Sequence, residues 1–100
     1  MPLFDQETKP MIRSNPTLVA LLRARREAAL MTRETAAKRL KITPEYLAHI
    51  ERGGRPVHIS NSLGERLVKL LKISEKKFWF LVQDQNTRTR HYYARFARKI

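Results

Sequence analysis

His49, His58 and His91 are the side chains of this 100-residue sequence that titrate nearest neutrality, and no cysteine accompanies them. Their spacing matches no metal-ligand pattern, so no metal site is expected. No glycine-rich phosphate loop and no nucleophile–base pairing is recognisable, so the sequence implies neither a cofactor nor an enzyme. Charge is the chemistry that remains. The chain has 21 Lys+Arg against 9 Asp+Glu, a formal net charge of +12. A charge that far from zero in a short chain points to a polyanionic partner, nucleic acid first and an anionic membrane surface second.

Such side chains need a scaffold, and 42% apolar residues can build one. The length fits a single domain. No apolar run approaches the roughly 18 residues of a membrane span, and Met1–Pro10 does not read as a signal peptide. The expectation is a cytoplasmic, nucleoid-associated protein without a membrane partner. Absence of cysteine excludes disulfide staples.

All elements read as helices, because no segment alternates with period two. Residues 1–13 form an arm holding two prolines. Asn15-Pro16 is a helix start, a good N-cap followed by proline at the first helical position, and predicts a helix over Pro16–Ala29 with Leu18, Leu21 and Leu22 inward. Thr32 caps a second helix that carries Glu34 in its first turn, Ala36, Ala37 and Leu40 inward, and ends near Leu40–Lys41. Thr43-Pro44-Glu45 repeats the start signal for a third helix over Pro44–Arg52, stopped by Gly53. Ser60 or Asn61 caps a fourth helix with Leu63, Leu67, Leu70 and Leu71. Ser74-Glu75 begins a fifth with Phe78, Leu81 and Val82. The domain spans 14–85, and 86–100 is a basic, aromatic extension. Tyr92, Phe96 and Ile100 would line one face of it, as a sixth helix or as an arm that folds on nucleic acid.

Helices 2 and 3 are two turns each and joined only by Lys41–Thr43. So short a link forces a steep crossing, the helix-turn-helix arrangement. Ala37 permits close approach, and Leu40, Ile42, Leu47 and Ile50 supply the apolar contact.

The run Leu22–Gly53 resembles the Cro/C1-type (XRE-like) helix-turn-helix family of DNA-binding regulators. The resemblance rests on Leu22, Arg26, Glu27, Thr32, Glu34, Ala37, Leu40, Ile42, Leu47 and the closing Ile50-Glu51-Arg52-Gly53. It extends over about Pro16–Asp84 and implies a five-helix, lambda-repressor-like, all-α domain. Leu30 and Lys41 stand where the family usually has turn glycines, so Lys41 must adopt φ > 0 or the turn must differ. Arg33 replaces the usual glutamine.

The resemblance also implies that helix 3 enters the major groove and helix 2 crosses the backbone. Thr43, Pro44, Glu45, Ala48 and His49 then face bases. Glu45 can accept from cytosine N4, Ala48 can meet a thymine methyl, and His49 can donate to guanine or phosphate. Glu45 is equally well placed as an ordinary first-turn acid. Thr32, Arg33, Lys38, Arg39, Arg52, Arg55 and His58 reach phosphates. Arg26 and Glu51 form a structural ion pair.

Phe78, Trp79 and Phe80 cover about 200° of a helix, more than one buried face needs. With Tyr92, Tyr93 and Phe96 they either cover the base of the domain or make a homodimer interface. The expected function is a homodimeric repressor binding double-stranded DNA. The rivals are an antitoxin that also sequesters a toxin protein, and an RNA- or membrane-surface binder using the basic extension.

Overall fold

The computed structural model describes residues 12–97, and the first eleven residues of the expected arm lie outside the described residues. Five helices follow in order: α1 Pro16–Ala28, α2 Arg33–Leu40, α3 Pro44–Arg52, α4 Asn61–Leu71 and α5 Glu75–Ala97. No strand occurs among the described residues.

The N-caps act as the sequence suggests. Asn15, Thr32, Thr43 and Ser60 each accept from the backbone N–H three residues on, with Pro16 and Pro44 opening α1 and α3. Ser60, not Asn61, is the cap of α4. Three helix ends turn through the left-handed region on non-glycine residues, at Leu30 (φ 59°), Lys41 (φ 62°) and Lys72 (φ 54°). Each costs of the order of 1 kcal/mol relative to glycine. Lys41 therefore keeps the tight turn without its glycine. The Ile42 N–H closes on the Ala37 carbonyl at 3.0 Å, a bond that ties the link to α2 and fixes where α3 begins.

Leu18 and Leu22 of α1, Ala36, Ala37 and Leu40 of α2, Leu47 and Ile50 of α3, Leu63, Leu67 and Leu71 of α4, and Phe78 and Val82 of α5 meet in one core. Val57 and Ile59 enter it from the α3–α4 loop. Phe78 is 0% exposed, which corrects its assignment to an interface: it is the largest fully buried side chain among the described residues. Trp79 packs edge-on to Phe78 at 5.2 Å. It lies over Gly64, where a Cβ would stand 2.5 Å from the indole. The missing side chain of α4 thus makes room for the second ring. Phe80 alone of the three is largely exposed, at 72%.

The segment from residue 86 is neither a separate sixth helix nor an arm in its described part. It continues α5 unbroken through Ala97. Asn86, Thr87 and Thr89 are weak helix formers, but tertiary contacts hold Asn86 and burial holds Thr89. Gln85 and Thr89 are buried on the face that Phe78 and Val82 begin, the i, i+4, i+7, i+11 stripe of one helix. The Gln85 carboxamide accepts from the Asn15 N–H at 2.7 Å and donates to the Val57 carbonyl at 3.0 Å and to Ser14 Oγ at 3.3 Å. Asn86 donates to the Ile59 carbonyl at 2.9 Å and accepts from the Ile59 N–H at 2.8 Å. Asn15 also donates to Asp84 at 2.6 Å, and Arg88 to the same carboxylate at 2.7 Å. The Asn15 contact first, and the Arg88 contacts after it, hold the Asp84 carboxyl below its ordinary range.

Several arginines are consumed by the fold. Arg25 donates to the Leu71 carbonyl at 3.0 Å and Arg66 to the Leu40 carbonyl at 2.7 Å, so cations of other helices satisfy the free carbonyl ends of α4 and α2.

Candidate nucleic-acid interface

The short helix α3 is amphipathic: Leu47, Ile50 and Glu51 point inward. Its outer face carries Glu45, Tyr46 and Arg52, exposed, with Pro44, Ala48 and His49 half-buried beside them. Thr43 is exposed, but its hydroxyl oxygen accepts from the Tyr46 N–H at 3.0 Å and so is engaged as the cap. Thr32 is engaged the same way at α2, accepting from Thr35 at 3.1 Å. Lys38 and Arg39 are exposed on α2.

Beneath this face lies the ion pair that the sequence resemblance implies. Arg26 of α1 donates to both oxygens of Glu51, at 2.7 and 3.0 Å, and to the Met31 carbonyl at 2.8 Å. The Glu51 contact is the main reason the Arg26 guanidinium is held above its ordinary pKa. Arg33 at the start of α2 also donates to Glu51, at 3.1 Å. With 44% of its side chain exposed against 1% for Glu51, Arg33 is tethered at one end and open to solvent at the other. One carboxylate thereby links α1, α2 and α3.

His49 and Arg55 are not independent groups. Arg55 Nη2 lies 2.8 Å from His49 Nε2. A guanidinium can only donate, so the imidazole accepts there as the neutral ring with its proton on Nδ1. Burial first, and then the charges of Arg55 and Arg52, hold the imidazole below its ordinary value of 6.5.

Tyr46 is a contributor that the sequence analysis passed over. Its hydroxyl donates to the His58 carbonyl at 3.0 Å, bracing the α3–α4 loop against the outer face of α3 and leaving the His58 ring exposed. Its placement three residues before His49 on an exposed helix face was the available signal. Of the expected interface aromatics, Tyr92 and Tyr93 meet edge-on at 5.2 Å, and the Phe96 side chain lies outside the described residues. Among those residues no helix is long and apolar enough to cross a membrane.

Two short helices joined by a tight turn, the second presenting its outer face between cationic flanks, define a helix-turn-helix unit, a nucleic-acid-binding class. A family model described as a helix-turn-helix domain matches residues 17–80, and the chain belongs to that family. No match was found among curated proteins or solved structures.

Proposed function

We propose that the protein is a sequence-selective double-stranded DNA-binding regulator of Cro/C1-like type that places α3 in the major groove. The observation that carries this reading is the outer face of α3. Glu45, Tyr46, His49 and Arg52 lie there with no core duty, flanked by Lys38 and Arg39 on one side and Arg55 and His58 on the other. Base edges meet Glu45 and His49, and the flanking cations meet phosphates. The chemistry is binding, not catalysis.

The regulator acts as a homodimeric repressor. Phe80 is the ring left over after Phe78 and Trp79 are packed, and it borders a groove with Gln83, Asp84 and Thr87. A two-fold contact there leaves α3 outward, as half-sites about 34 Å apart require.

Selection of bound duplexes from a random pool tests the reading. Enrichment of a sequence, with preference relaxed at one or two base pairs by Glu45→Ala or His49→Ala, is the expected result. A pool without enrichment, together with equal competition by RNA, would refute it. Phe80→Ala should sediment as a monomer.

A further inference from the structure

The second half of α5 is not explained by the proposed reading, since the helix-turn-helix match ends at residue 80 while the helix runs on to Ala97. Asn86, Arg90, Tyr93 and Ala97 fall at i, i+4, i+7 and i+11 and so share one stripe of α5. Asn86 fixes where that stripe points. Its carboxamide is bonded to both the N–H and the carbonyl of Ile59, so the stripe faces the α3–α4 loop. On the other side of that loop the His58 carbonyl is held by Tyr46 of α3. The outer face of α3, the loop and this stripe therefore adjoin. Burial and then the nearby Tyr93 phenol raise the Tyr46 pKa, which agrees with that arrangement.

The stripe carries one arginine, Arg90, and no acid. Arg88 and Arg95, the other arginines between Asn86 and Ala97, lie off it. Arg88 turns away to Asp84 and the Arg13 carbonyl. Arg90 is exposed and donates to Thr87 Oγ1 on its own helix at 3.2 Å. Among the described residues, no carboxylate forms an ion pair with it. Tyr93, 52% exposed, adds a phenol that can donate to a phosphate oxygen.

We propose that the C-terminal half of α5 is a second strip of the DNA interface, in which Arg90 and Tyr93, with His58 of the loop, hold the phosphate backbone beside the groove that α3 enters. This rests on the α3 reading and extends it. It assigns Tyr93 to DNA and leaves the contact between copies to Phe80. The occupant is a polyanion backbone because the strip offers the Arg90 guanidinium and the Tyr93 hydroxyl beside His58 and continues an already cationic face.

The test is a salt titration of the full chain on a labelled mixed-sequence duplex of about two helical turns. Arg90→Ala should weaken binding several-fold and flatten the dependence of log K on log salt by about one unit. Sedimentation and base preference should stay as in the wild type. Lys76→Ala, exposed at the far end of α5, should leave the slope intact. An unchanged slope for Arg90→Ala, with Arg52→Ala flattening it, overturns this inference and leaves the α3 reading standing. Unchanged slopes in both variants overturn both. Conversion of Arg90→Ala or Tyr93→Ala to monomers would assign the strip to a second copy of the chain instead.

Discussion

Glu51 serves two arginines from a buried position, and the two are not equivalent. Arg26 is itself buried and bonded to both carboxylate oxygens, whereas Arg33 reaches in from solvent. Glu51→Ala should therefore destabilise the fold by about 3–5 kcal/mol, because the Arg26 charge stays behind unpaired. Arg33→Ala should change stability by less than about 1 kcal/mol, as exposed pairs do. Denaturant midpoints of the two variants check the contrast. His49 carries the pH dependence at this scale. Its pKa is held below 6.5 in the fold, so the unfolded chain takes up that proton more readily, and this residue's stability contribution is lost as pH falls through 6.5 toward the lowered value. The field of the phosphate backbone on either side of the groove would favour the imidazolium and raise the His49 pKa in the complex. DNA affinity should then rise as pH falls through the same window, and His49→Ala should flatten the profile of affinity against pH. The capping residues and the Arg26–Glu51 pair were legible because both depend on local spacing or on a shared motif. The Arg55–His49 contact was not, because it joins a loop to a helix and neither residue's neighbours announce the other.

At the scale of elements, helix starts were readable from Asn15-Pro16 and Thr43-Pro44, and the short link between α2 and α3 from its length alone. The end of α5 was not. Local propensity weakens at Asn86, and the contacts that override it come from Ile59, Val57 and Asn15, remote in sequence. A polar Gln85 on the apolar stripe begun by Phe78 was the one sign that the helix continued. The crowded Phe78-Trp79-Phe80 run also depended on a partner element, since Gly64 of α4 determines how many of the rings can be packed. Gly64→Ala gains helix propensity worth about 1 kcal/mol, but forces the indole aside at an overpacking cost of about 1–3 kcal/mol. The substitution should destabilise the wild type and stabilise the Trp79→Ala variant. Thermal unfolding of the four proteins in that cycle would reveal the reversal, and equal effects in both backgrounds would mean that Trp79 does not need the missing Cβ.

For the whole molecule the net charge of +12 overstates what a polyanion can use. Arg25, Arg26, Arg66 and Arg88 are bound to backbone or carboxylate groups of the fold. If about six to eight of the remaining cations neutralise phosphates, log K should fall with log salt at a slope of roughly −5 to −7. Arg66→Ala should lower stability and leave that slope unchanged, whereas Arg55→Ala should flatten it by about one unit. A slope nearer zero would mean that the cationic face meets DNA at far fewer points than its geometry offers. Total charge was legible in the sequence, but its division between scaffold and surface was not, because an arginine that caps another helix looks the same in sequence as one that faces solvent.

The Gln85 contacts with Ser14 and Asn15 span sequence separations of 71 and 70 residues, and this bears on the order of events in folding. Bonds between such distant groups close a loop of most of the chain, and the entropy of that closure favours local helix pairing first. The latch should therefore form after the rate-limiting step. Gln85→Ala, which strands the Asn15 N–H and the Val57 carbonyl, should cost about 1–3 kcal/mol. Nearly all of that should enter as faster unfolding, with refolding close to wild type. A chevron in which the refolding arm drops instead would put the closure in the nucleus. If the unfolding arm of the chevron moves, the lifetime of the folded protein against proteolysis is governed by a polar latch whose own groups take no part in the proposed DNA contacts.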